Sequence, residues 1–283
     1  SLLCVNCLRP PPPHRRTWNR CVICVARNLP STYYCGEECM NAHWPKHQAY
    51  HKEQKQRAKK YSAPRAEHDR SMAEAQALRA ERTGDEFIKR CAAAMADGNN
   101  GDLHASAKAW RKIIKEWPHR PESYSNLALV MHRTGRDVES SQMYLKAMEL
   151  YKDGTEYWAE SAASAFDLLK TNACREVSMP EWWNDEALKA LSARVVALAP
   201  DNTQTCAMRA LVLQGHALCL VNWNAAPRTA AEIKEAATWY RRAARVTRVP
   251  AHKLDYEQLA RGCDAYADPL LAKEEAEAAK ARA

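Results

Sequence analysis

Eight potential metal ligands lie within the first 51 residues, and their spacing constrains this chain more than any other feature. The stretch reads Cys4-x2-Cys7, Cys21-x2-Cys24, Cys35-x3-Cys39 and His47-x3-His51. Two tetrahedral zinc ions need eight ligands, and a Cys-x2-Cys turn lets two thiolates converge on one metal. A four-residue step on a helix stacks two ligands on one face, so His47 and His51 are expected on a short helix after Cys39. Six clustered cysteines would also allow a disulfide framework. Two histidines complete the ligand count, however, and Cys91, Cys174, Cys206, Cys219 and Cys263 form an odd remainder in helical sequence. That usage suits a reducing, intracellular compartment, where clustered cysteines bind metal. With every coordination position filled, both zinc ions would be structural, not catalytic.

The residues between the ligands sharpen the expectation. Tyr34-Cys35, then Cys39, Trp44, His47 and His51, resemble the second half of a MYND zinc finger, with histidine at the last ligand position where that family usually has cysteine. Zinc accepts either donor. The resemblance implies interleaved ligation, with Cys4, Cys7, Cys35 and Cys39 on one ion and Cys21, Cys24, His47 and His51 on the other. His43 stands where the family carries Asp, and it is read as a surface residue. Trp44 is the one position shared with those MYND fingers that bind proline-containing peptides, since Gly36 and Met40 replace the family's Ser and Gln. Between the first two cysteine pairs, the four prolines from Pro10 to Pro13 read as a stiff spacer.

The net charge of +8 is concentrated at one end. Residues 1–90 hold 17 Lys and Arg against 9 Asp and Glu, whereas residues 91–283 hold 25 of each. The cationic run is Lys46, Lys52, Lys55, Arg57, Lys59 and Lys60. It is the segment, 46–60, through which RNA would be contacted. Pro64 is expected to end a helix there, because proline lacks the N–H and clashes with the preceding turn. A second helix is expected from Arg65 to about Arg82. Gly84 would stop it, and Thr83 with Glu86 would form a capping box for the next.

From residue 85 onward the chain repeats. Between Pro121 and Gly154, the residues Tyr124, Leu127, Ala128 and Met131 form one helical stripe. Ser140, Tyr144 and Ala147 form another, with the turn 134–137 between them. This pattern resembles a tetratricopeptide repeat, in which small residues let paired helices approach closely. Shifted back by 34, Ala93, Ala94, Ser106, Trp110 and Ile113 take the corresponding places. A third unit begins with Trp158, Ser161, Ala162 and Ala165, is interrupted from Thr171 to Asn184, and resumes at Glu186. A fourth starts near Thr205 and finishes with Ala236, Tyr240 and Ala243 after an insertion containing Trp223. The rest reads as capping helices broken at Pro269. The expected fold is mostly α: a two-zinc finger (1–52), a basic helical linker (53–84), an α-solenoid of helix pairs (85–250) and capping helices (251–283).

Stacked helix pairs usually grip a peptide or another subunit. Asn126, Glu156 and Glu160 are candidate contacts on the first helices, and the acidity of the two glutamates points to a basic or apolar partner. Trp182, Trp183 and Trp223 lie in insertions and are candidate anchors, whereas Trp110, Trp158 and Trp239 read as core. No apolar run approaches the length of a membrane span. Proteins that combine MYND fingers with helical repeats include lysine methyltransferases, but no glycine-bearing SET segment follows the finger here, and no nucleophile–base constellation or phosphate loop is found. The expectation is a non-enzymatic adaptor or structural subunit of a larger assembly. The alternatives are a ribonucleoprotein component and, remotely, a SET-less relative of those methyltransferases.

Overall fold

A computed structural model of the chain describes residues 19–20, 33–34, 37–174, 176–215 and 225–282. It divides into two compact units, Ser1–Ala63 and Pro64–Ala283.

In the first unit, β1 (Asn19–Arg20) pairs antiparallel with β2 (Tyr33–Tyr34), Asn19 opposite Tyr34 and Arg20 opposite Tyr33. Helix α1 then begins at Glu37 and runs to Thr83. The expected short ligand helix is therefore the start of a long one, and Pro64 does not end it. A proline in a helix interior costs about 3 kcal/mol, but the flanks here are rich in Ala, Glu, Gln, Arg and Lys, which favour helix. The division between the two compact units falls within this helix, between Ala63 and Pro64.

The second unit is a series of helices: α2 (Glu86–Asn99), α3 (Leu103–Glu116), α4 (Pro121–Arg133), α5 (Asp137–Leu150), α6 (Glu156–Leu169), α7 (Asp185–Leu198), α8 (Thr203–Gln214), α9 (Ala230–Val246) and α10 (Pro250–Arg282). From α2 to α10, each packs against the next. Local chemistry sets the boundaries. The N-cap of α2 is Asp85, whose carboxylate accepts from the backbone N–H groups of Phe87 and Ile88. It is not Thr83, as the capping-box reading expects. Thr83 instead closes α1, donating its hydroxyl to the Arg79 carbonyl. A carboxylate immediately before the helix also complements the positive end of its dipole. Asp102, Thr155, Asn184 and Asn202 cap α3, α6, α7 and α8 in the same manner. Thr229 and Glu232 form a full capping box on α9.

The repeat is visible as geometry. Ser106 Oγ donates to the carbonyl of Ala94 at 2.7 Å, and Ser140 Oγ, 34 residues on, donates to the carbonyl of Ala128 at 2.7 Å. Both serines are wholly buried where the two helices of a pair meet. Gly101 and Gly135, also 34 apart, take φ of +93° and +76° in the tight turns between the two helices of each pair, a region other residues enter only with strain. Around these contacts lies an apolar core. Trp110, Ile113, Leu127 and Met131 fill α2–α4; Trp158, Phe166, Leu188, Val195 and Met208 fill α6–α8; Leu213, Ile233 and Tyr240 join Ala260 and Cys263 of α10. Trp239 is half-buried, unlike the internal Trp110 and Trp158.

Helix α10 passes through Pro269 without a break, contrary to the expectation. Pro269 is exposed, while Cys263, Ala267 and Leu270 keep one face of the helix on α9 on both sides of it. Burial of that face offsets the lost hydrogen bond.

Candidate metal centre and interaction face

Cys39, His43, His47 and His51 follow one another at four-residue steps along the start of α1, and four residues is a little over one helical turn. The His47 and His51 rings are 4.5 Å apart, edge to face, and His43 lies 5.8 Å from His47. His47 and His51 are both buried, although imidazole normally seeks water. Burial, then the neighbouring charges of His51 and His43, hold His47 below the usual imidazole range. That favours the neutral ring, which is the form that binds a metal. Trp44 is half-buried, with its indole 6.1 Å from His47 and 6.4 Å from His51.

His43 departs from the surface position expected of it. It is half-buried, and its Nδ1 lies 3.0 Å from the hydroxyl of Tyr34, itself buried. Helix pitch explains this, since a residue four before His47 must share its face. Cys4, Cys7, Cys21, Cys24 and Cys35 lie outside the described residues. Among the described residues no three side chains of ligand type gather into a metal site. The donors that are described, one thiol and two buried imidazoles on one helix face, fit zinc in their chemistry.

In the second unit, the first helices of consecutive pairs, α4 and α6, bring together residues that lie far apart in sequence. Ser125 on α4 and Ser161 on α6 approach to 3.4 Å. Tyr151, just after α5, stacks on Tyr157 of α6 with ring centroids 5.7 Å apart and planes 21° from parallel. Burial pushes the Tyr151 phenol up to about 12; a hydrogen bond with Ser125 opposes this, and the charges of Glu122 and Glu160 add to it. Both glutamates therefore act on the same phenol. Glu160 is half-buried, accepts from Asn202 Nδ2 at 2.8 Å, and is raised above the usual carboxylate range, first by burial and then by the charge of Glu156. Glu122 and Glu156 are exposed. Asn126 turns back on its own helix, donating to the Glu122 carbonyl at 2.8 Å.

Sequence reasoning finds Glu156 and Glu160 but misses Glu122 and the tyrosine stack. A signal is present: Tyr151 stands 34 residues after Trp117, and the two aromatics end α3 and α5 in the same way, each backbone N–H donating to a carbonyl four residues back at 2.8 Å.

Of the insertion tryptophans, Trp182 and Trp183 lie against the core of the array. Trp183 is buried against Phe166, rings 5.6 Å apart, and Trp182 packs half-buried beside it. Trp223 lies outside the described residues. Burial pushes the thiols of Cys91, Cys206 and Cys263 up to about 12, 11 and 11, so they stay protonated at neutral pH. No helix among the described residues is long and apolar enough to cross a membrane. A scan against protein-family models finds no match for this chain, and a search of curated proteins finds no relative.

Proposed function

We propose that this chain is a zinc-stabilised adaptor or structural subunit of a larger assembly, with a MYND-type finger joined to a tetratricopeptide-like array. In this reading Cys4, Cys7, Cys35 and Cys39 hold one zinc ion, and Cys21, Cys24, His47 and His51 hold the other. The metal folds a segment too short to bury a sufficient core of its own. The array then holds a partner protein, and the chain carries no catalytic step. A reducing intracellular compartment suits this arrangement, because the ligand thiols must stay reduced.

One observation carries the reading. The helix pairs recur at 34 residues with the same buried serine bond, and on the first helices of the second and third pairs Glu122, Glu156 and Tyr157 are exposed, with no Lys or Arg among the described residues in ion-pair distance of either glutamate. Stacked repeat units of this kind present an extended surface on which a partner can be held.

The test is affinity purification of the native protein with mass spectrometry, repeated after nuclease treatment and at raised salt. Protein partners that persist through both support the adaptor reading. Partners lost on nuclease treatment would overturn it and shift the function to RNA held by the cationic run at 46–60, where binding falls steeply with salt.

A further inference from the structure

Among the described residues, four aromatic rings of the array carry an arginine of the chain itself, and each arginine is also held by a carboxylate. Arg90 lies 5.3 Å over Trp117 and pairs with Glu86 and Glu116. Arg120 lies 4.3 Å over Phe87 and pairs with Asp85. Arg194 lies 4.6 Å over Trp158 and pairs with Asp153. Arg242 lies 5.9 Å over Trp239 and pairs with Asp201. The recurring unit is a guanidinium over a ring with a carboxylate at its edge. It is favourable because guanidinium is planar, weakly hydrated and always charged, so it can stack and pair at once.

At one place among the described residues, an exposed ring stands beside carboxylates with no arginine over it. Tyr157, stacked on Tyr151, is 64% exposed and offers its outer face to solvent. Glu156 and Glu160 stand one residue before it and three after it on α6, and the charges of Glu160 and of Glu122, on α4, reach the phenol of its stacking partner Tyr151. Among the described residues no Lys or Arg lies within ion-pair distance of these three carboxylates, and none lies over either tyrosine. Elsewhere in the same fold this combination is completed from within; here it is left open on the surface.

We infer that this face of α4 and α6 binds an arginine-bearing segment of a partner protein, with a guanidinium on Tyr157 and its charge shared by Glu156, Glu160 and Glu122. The inference rests on the adaptor reading and names the chemistry of its partner. Charge complementarity selects a basic segment, and the ring selects arginine over lysine, whose ammonium is a compact, strongly hydrated point charge. A cation also relieves the repulsion between Glu156 and Glu160, which contributes to the raised Glu160.

The test uses the full chain and a fluorescent peptide of alternating arginine and glycine, read by fluorescence anisotropy at low and raised salt, with lysine and glutamate versions as comparators. The arginine peptide is expected to bind and to weaken with salt, and the lysine version to bind about tenfold more weakly. The combined variant Glu122→Gln, Glu156→Gln, Glu160→Gln should lose at least about tenfold. The amide introduced by Glu160→Gln still offers an oxygen to Asn202, so the fold is expected to hold, as an unchanged thermal midpoint would show. Tyr157→Ala, at an exposed position, gives a second variant, with an expected loss of about fivefold. Undiminished binding by either variant, equal binding of the lysine peptide, or no binding of the arginine peptide to the unaltered chain would overturn the inference. Partners from the native purification that bind the triple variant unchanged would sink it while leaving the adaptor reading in place. Loss of all native partners to nuclease would remove the adaptor reading instead, whatever the peptide does.

Discussion

Arg228 grips Asp185 with two hydrogen bonds, Nη2 to Oδ1 at 2.6 Å and Nη1 to Oδ2 at 2.8 Å, and so ties the approach to α9 to the first residue of α7. The side chain of Arg228 is 4% exposed and also donates to the carbonyls of Val212 and Ala226. Room for it comes from Gly215, which caps α8 at φ +72° and at which a Cβ would collide with the Arg228 side chain. Glycine is thus required twice there, for conformation and for space.

Removing one partner of such a pair leaves an uncompensated buried charge. Asp185→Ala is expected to destabilise the chain by about 3 kcal/mol, at the low end for buried pairs because two carbonyls still hold the guanidinium. Chemical denaturation measures this, and a loss below about 0.5 kcal/mol would mean that the pair behaves as a surface contact. The pair also carries a pH signature. The hydrogen bond from Arg228, chiefly, holds the Asp185 carboxyl below its ordinary range. Its folded value is depressed, so its stabilisation is present above the unfolded carboxylate value of about 4 and is lost as pH falls through the folded value. Unfolding free energy plotted against pH should therefore fall more steeply below about pH 4 in the unaltered chain than in Asp185→Asn.

The helical array is legible in the sequence because its signal is periodic and local. Ser106, Ser140, Trp110 and Tyr144 align by counting 34, and each lands on a second helix of a pair. What cannot be read depends on competition between terms. Pro64 and Pro269 carry a strong local penalty against helix, and the rest of each helix outweighs it, a balance no single residue displays. Trp183 belongs to an insertion with no period, so its burial against Phe166 depends on how that insertion folds back. A family position puts His43 on the surface, whereas the pitch of α1 sets its surroundings. The partial cluster of Glu122, Glu160 and Tyr151 joins three helical segments, and it depends on α5 packing against both α4 and α6.

The two buried serine bonds make repeat equivalence measurable. Ser140→Ala removes a bond worth about 1 kcal/mol, partly offset by the better helix propensity of Ala. Ser106→Ala removes the same bond one unit earlier, at the same 2.7 Å. The two variants should shift the urea midpoint by equal amounts without changing the slope of the transition, and the double variant should add the two within about 0.5 kcal/mol. Unequal single effects would mean that the pairs are alike in backbone but not in energetics.

Trp183 separates a core residue from a binding anchor. At 8% exposure, with its ring on Phe166, Trp183→Ala should cost about 3–5 kcal/mol and leave a cavity. An exposed anchor would change stability by less than about 0.5 kcal/mol and weaken partner binding instead. Thermal and urea unfolding of the variant decide between these, because only the first outcome is compatible with the packing of α6 and the residues before α7.

The zinc proposal makes its own quantitative demand. Two ions per chain should be recovered by metal analysis of protein purified without added chelator. His47→Ala and His51→Ala should each lose one ion, the same one, while Cys39→Ala should lose the other. Structural zinc contributes about 10–16 kcal/mol to the folding of small finger domains, so stripping both ions is expected to unfold the segment that precedes α1 and to free the row of imidazoles at its start. Helices from Pro64 onward belong to a separate compact unit, and their far-ultraviolet signal and melting midpoint should survive the treatment. A single ion per chain would refute the interleaved ligand assignment. Retention of both ions after His51→Ala would instead recruit His43, which the pitch of α1 sets on the same helix face and which already lies 5.8 Å from His47.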